Sequence, residues 1–156
     1  HVLNALAQEK AGKSIASYVT SMRTGLIGRL LARLRPAENL GVNSFRNDKN
    51  STSISPTDAK PGDIVTFIGT GKEKTYNHIL VITAVERSEN GIRLTYAHSD
   101  GLYNTGVREG DIIVRDNDIL TGTWKERGVT GAENYTYQSA VDAKEISVRR
   151  LKFAIS

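Results

Sequence analysis

The stretch Tyr76–Ser99, YNHILVITAVERSENGIRLTYAHS, limits what this chain can fold into more than any other part of it. Ile79, Leu80, Val81, Ile82, Ala84 and Val85 form an apolar, β-branched run that is too rich in strand formers for a loop. Ile92, Leu94 and Tyr96 alternate with Arg93 and Thr95, the period-two pattern of a strand with one buried face. Between them lies the polar segment Glu86 to Gly91, ending in Asn-Gly, which reads as a hairpin connection. His78 then opens one strand and His98 closes the next.

Two registers are open to such a hairpin. A two-residue Asn90-Gly91 turn pairs Thr83 with His98 and sends the two histidines to opposite faces. A longer loop centred near Glu89 pairs Leu80 with His98 and Ile82 with Tyr96. His78, Leu80, Ile82, Ala84, Ile92, Leu94, Tyr96 and His98 then share one face. The second register is expected, because it turns the apolar alternation of the later strand inward.

The flanks set the fold class. Val2, Leu3, Leu6 and Ala7, then Ile15, Tyr18, Val19 and Met22, then Leu26, Ile27, Leu30, Leu31 and Leu34 repeat at helical spacing. Gly12, the capping residues Ser14 and Thr24, and Pro36 punctuate them. From Glu38 to Lys60 the composition is polar and predicts a long loop. Pro61-Gly62-Asp63 is a turn, with Asp63 expected to satisfy its amides, and it leads into a strand over Ile64 to Ile68. Ser99 to Gly110 reads as loop, Asp111 to Val114 as strand and Ile119 to Trp124 as a further strand. Gly128 to Ser139 reads as loop again, and Ile146 to Ile155 as a closing strand. Helices first and strands after predict an α+β fold, with N-terminal helices packed on a mostly antiparallel sheet. All 156 residues fit one domain.

Composition narrows the partners. With 38% hydrophobic and 24% charged residues the chain is globular in type, and no stretch reaches the roughly 20 apolar residues of a membrane span. No signal peptide opens it, so any export signal is expected to have been removed or never to have been present. The formal charge of +4 suits an anionic surface, but the basic residues are spread out without interleaved aromatics, which argues against nucleic acid. Arg23, Arg29, Arg33 and Arg35 read as a solvated helix face. Gly69-Thr70-Gly71-Lys72 lacks Walker spacing and a following helix, so no phosphate-binding loop is assigned. No cofactor is expected.

Singly, each strand histidine is best read as satisfied by a backbone carbonyl. Together on one hairpin face beside a polar loop, His78 and His98 become a candidate acid–base pair. A histidine base needs a polar group on its other ring nitrogen to fix its orientation, and His98 can serve His78 in that way. A metal site of His78, His98, Asp100 and Asp63 is the weaker option, since no standard zinc spacing is present. No metal is assigned.

Pro61-Gly62-Asp63-Ile64-Val65, then Asn77-His78-Ile79-Leu80-Val81, then Tyr96-Ala97-His98-Ser99 resemble the NlpC-type, papain-like cysteine peptidases of bacterial cell walls and the related CHAP amidases. The resemblance spans about Asp58 to Ser99. It implies a papain-like fold and a secreted or cell-envelope location. It also implies hydrolysis of an amide bond in peptidoglycan peptides, with His78 as general base and His98 as orienting residue. The family's nucleophile is a cysteine in an Asp-Cys-Ser-Gly-aromatic-Val motif at a helix start, and this sequence has no cysteine. Two explanations stand. His1-Val2-Leu3 is similar to the residues that come after Cys-Ser-Gly in that helix, so the sequence would start just after the nucleophile. Alternatively, Gly12, Lys13 or Ser14 stands where the motif was, and the protein is an inactive relative. The reading from a different class is a non-catalytic β-rich module that binds wall polymer or a protein partner.

Overall fold

The computed structural model describes residues 41–99, 107–127 and 134–152. The helices expected before residue 41, the placement of His1 and the Asp100 position lie outside the described residues. Those described form an antiparallel β-sheet with few helices, which is β-rich α+β.

The strands are β1 (Ser51–Ile54), β2 (Ile64–Thr70), β3 (Tyr76–Ser88), β4 (Gly91–Ser99), β5 (Val107–Val114), β6 (Thr123–Glu126) and β7 (Glu145–Leu151). Helix α1 is Val42–Arg46 and α2 is Tyr135–Asp142, with short 3-10 turns at Pro56–Asp58 and Ile119–Thr121. The sheet runs β1-β7-β2-β3-β4-β5-β6, and every pair is antiparallel. Ile64, Val65, Thr66 and Phe67 are all buried, so β2 requires cover on both faces, and it lies inside the sheet between β7 and β3. One face carries Val65, Phe67, Leu80, Ile82, Leu94, Tyr96, Ile112, Val114 and Val148, closed by Ile119 and by Ala140 of α2. Val42 and Phe45 of α1 are also buried, and the Ser51 hydroxyl donates to the Phe45 carbonyl at 2.5 Å.

The hairpin of β3 and β4 departs from the expected one in two ways. Ile82 pairs with Tyr96, but Ala84 pairs with Thr95 and Val85 with Leu94, so Thr83 is an extra residue in β3. The bulge shifts the facing of the strand, and Val85, not Ala84, packs on the core side. Glu86 to Gly91 is also mostly ladder instead of loop. Glu86 pairs with Arg93, Arg87 with Ile92 and Ser88 with Gly91. A hairpin tip in solvent needs no buried face, and cross-strand partners such as Glu86 and Arg93, 3.6 Å apart, suit a polar ladder. Gly91 has φ of 123°, and a Cβ there would meet the Val114 carbonyl oxygen at 2.5 Å, so the turn needs glycine on two counts.

Three loop expectations are corrected. Between Glu38 and Lys60 lie α1, β1 and a 3-10 turn, held by buried Val42, Phe45, Asn50 and Ser51 that polar composition conceals. β5 begins at Val107, inside the expected 99–110 loop, because β4 supplies a full ladder down to Ser99. Within 128–139, Tyr135 onward is α2, capped by Asn134, whose side-chain oxygen accepts from the Tyr137 amide at 2.9 Å. The further strand is shorter than expected, since Ile119–Thr121 is a 3-10 turn and β6 starts at Thr123.

Candidate functional site

His78 stands on β3 opposite Phe67 of β2, with their ring centroids 5.9 Å apart. His98 stands near the end of β4. Val81 pairs with Ala97, so the two histidines are diagonal neighbours on the same face, a spacing long side chains can bridge. Their rings meet edge to face at an interplanar angle of 87°, and His78 Nε2 lies 2.9 Å from His98 Nδ1. This is a hydrogen bond between imidazoles, one half-buried and one buried.

The second ring nitrogen of His98 is engaged as well. Its Nε2 lies 3.2 Å from Oε1 of Glu126 on β6. β5 runs between β4 and β6, so a bond from His98 to Glu126 must pass over it. Gly110 makes this feasible. It pairs with Tyr96 on one side and Glu126 on the other, and it carries no side chain to fill the space above β5. A Cβ there would collide with the Tyr96 hydroxyl and would stand 2.7 Å from the Lys125 carbonyl oxygen.

No family model, curated protein or solved structure matches this chain. Function has to be drawn from the geometry of the site itself.

Glu126 is held by two further groups. Thr136 of α2 donates from Oγ1 to Oε2 at 2.9 Å, and Arg108 of β5 approaches Oε1 with Nη1 at 3.4 Å. Thr136 Oγ1 also comes within 3.4 Å of His98 Nε2. The side chains of His98 and Glu126 are 2% and 1% exposed, so water does not screen this contact. Tyr96 lies beneath the cluster, fully buried. Its hydroxyl, beside Thr136 and Glu126, completes no hydrogen bond of good geometry with a described residue. Burial, and then the Glu126 charge, push its phenol well above the usual tyrosine range.

Of the residues singled out from sequence, the structure brings His78 and His98 together and keeps Asp63 apart from them. Asp63 accepts from the Lys60 amide at 2.7 Å and from Arg150 at 2.8 and 3.0 Å, so it supports the turn. Among the described residues, no group of three His, Asp or Glu side chains is arranged to hold a metal ion. Sequence reasoning missed Glu126, Thr136 and Arg108. The one signal for Glu126 is its spacing of two from Trp124, which puts both on one face of β6.

The arrangement can move a proton. A half-buried imidazole, oriented through one nitrogen by a buried partner, is the construction of a general base.

Proposed function

We propose that this domain belongs to a cysteine hydrolase of the NlpC type, papain-like in fold, that cleaves an amide bond in peptidoglycan peptides. The observation that carries the reading is the 2.9 Å bond from His78 Nε2 to His98 Nδ1. It supports His78 as the base and His98 as the residue that orients it. The sequence order of a Pro-Gly-Asp turn, a buried strand and a histidine-bearing hairpin adds to it.

In this mechanism a thiol gives its proton to His78 and the thiolate attacks the substrate carbonyl. His78 returns the proton to the leaving amine, and water then hydrolyses the thioester. The 156 residues contain no cysteine, so the thiol has to come from outside them. The setting would be the bacterial envelope or its exterior, where a net charge of +4 suits an anionic wall. The lack of cysteine is also the observation that favours the second reading, an inactive relative or a module that binds wall polymer or a protein.

The test compares the 156-residue chain with a version carrying Cys-Ser-Gly ahead of His1, on peptidoglycan peptides. Turnover is expected only from the second, blocked by iodoacetamide and lost in H78A. A soluble, folded Cys-Ser-Gly version without turnover would leave the non-catalytic reading standing.

A further inference from the structure

We propose that Glu126 is a positioning residue that fixes the protons of both histidines, so that the basic lone pair of His78 lies on Nδ1. Only the use of that lone pair rests on the hydrolase reading; the proton arrangement is set by the contacts alone.

The argument starts at the carboxylate. Oε2 of Glu126 accepts from the Thr136 hydroxyl at 2.9 Å and Oε1 faces the Arg108 guanidinium at 3.4 Å. Arg108 has no accepting atom and Thr136 spends its only hydrogen on Oε2, so Glu126 acts as an acceptor on both oxygens. His98 Nε2, 3.2 Å from Oε1, therefore carries the hydrogen. Among the described residues the Thr136 hydroxyl also approaches Nε2, but its 3.4 Å distance there is longer than its 2.9 Å bond to Glu126. In neutral His98 the remaining nitrogen, Nδ1, holds a lone pair.

That lone pair faces His78 Nε2 at 2.9 Å. Two lone pairs or two N–H groups cannot face each other at this distance, so His78 Nε2 is the donor. Neutral His78 is left with its lone pair on Nδ1. When His78 accepts a proton there, its bond to His98 does not have to rearrange. His98 Nδ1 still accepts, and the Glu126 charge lies at the far end of the line to favour the imidazolium. A buried carboxylate bridged by two donors thus sets which atom of a residue on another strand is basic. Three elements beyond the hairpin supply the device: β5 gives Arg108 and the gap at Gly110, β6 gives Glu126 and α2 gives Thr136.

The test is long-range 1H–15N NMR of the protein labelled at its histidines, at a pH where the pair is neutral, with His1 identified by H1Q. Both His78 and His98 are expected to carry hydrogen on Nε2, with Nδ1 in the unprotonated 15N range. E126Q should keep this pattern, because its amide oxygen still accepts from His98. E126L should lose it, with part of the His78 population shifting to the Nδ1–H form. A wild-type His98 with hydrogen on Nδ1 would overturn the proposal, and so would an E126L spectrum with both histidines unchanged. Should E126L not fold, the wild-type and E126Q spectra still decide it. In the Cys-Ser-Gly version, kcat should fall in E126L at unchanged KM and be largely restored in E126Q. The expected proton arrangement without turnover would uphold the role of Glu126 and remove the hydrolase reading.

Discussion

His78 Nε2 and His98 Nδ1 lie 2.9 Å apart although 20 residues separate them in sequence, because antiparallel pairing makes them diagonal neighbours. The bond leaves His98 as an acceptor, so the residue matters for one lone pair at one place. An asparagine at 98 can put its side-chain oxygen close to where Nδ1 now stands, whereas alanine cannot. In a thiol-bearing version of the protein, H98A is expected to lower kcat by about 10²-fold or more, with KM little changed. H98N should recover a good part of it. Equal loss in both variants would show that ring packing, not the hydrogen bond, is what His98 supplies.

Gly110 is where the sheet makes room for the site. A Cβ there would strike the Tyr96 ring and hydroxyl and stand 2.7 Å from the Lys125 carbonyl oxygen. Tyr96 is fully buried and cannot swing away, and the carbonyl belongs to the β5–β6 ladder. G110A is therefore expected to destabilise the fold by roughly 1–3 kcal/mol, the usual cost of overpacking. The midpoint of urea unfolding measures it. A shift within error of zero would mean that β6 can move away without loss, and the bridge from His98 to Glu126 would then not depend on a bare residue at 110.

The two strands bearing the histidines were legible in the sequence because their apolar residues alternate or run unbroken, as Ile92, Leu94 and Tyr96 do. Thr83 was not legible as a bulge, since nothing in ITAVE marks which residue lacks a partner. α2 was missed for a physical reason. Its buried residues are Thr136 and Ala140, so it shows no apolar stripe, and it meets the sheet through a small residue and a hydroxyl. Glu126 was missed because a charge in a short strand reads as solvent-facing. Here it is buried, and the donors that make burial tolerable come from β5 and α2, elements distant from it in pattern if not in space. Val107-Arg108-Glu109 likewise has a loop's composition and a strand's conformation because Ser99, His98 and Ala97 of β4 pair with it.

Asp63 tests the separation of scaffold from site. Its carboxylate, 3% exposed, closes the Lys60–Asp63 turn and takes two bonds from Arg150. D63A leaves the Lys60 amide and the guanidinium without these acceptors and is expected to cost about 1–3 kcal/mol. R150A should cost less, since that side chain is 39% exposed and water can take over part of its role. Neither variant should alter the histidine NMR pattern. A changed His78 signal in D63A would tie the turn to the base after all.

Tyr96 gives the chain a pH dependence that can be read by sign. Its phenol is raised from the ordinary 10.0, chiefly by burial and next by the Glu126 charge, so the folded protein holds the proton more tightly than the unfolded chain does. Below pH 10 both states are protonated at this residue and its contribution to stability is fully present. As pH rises above 10 the unfolded chain ionises first, and the contribution is lost progressively toward the higher folded value. Y96F has no proton to lose. At neutral pH it should change stability by less than about 1 kcal/mol, because the hydroxyl it removes has no well-formed bond with a described residue. Between pH 9 and 11, urea midpoints of the wild type should fall more steeply than those of Y96F. Parallel slopes would show that the phenol ionises alike in both states, and a large loss in Y96F at neutral pH would reveal a partner for the hydroxyl.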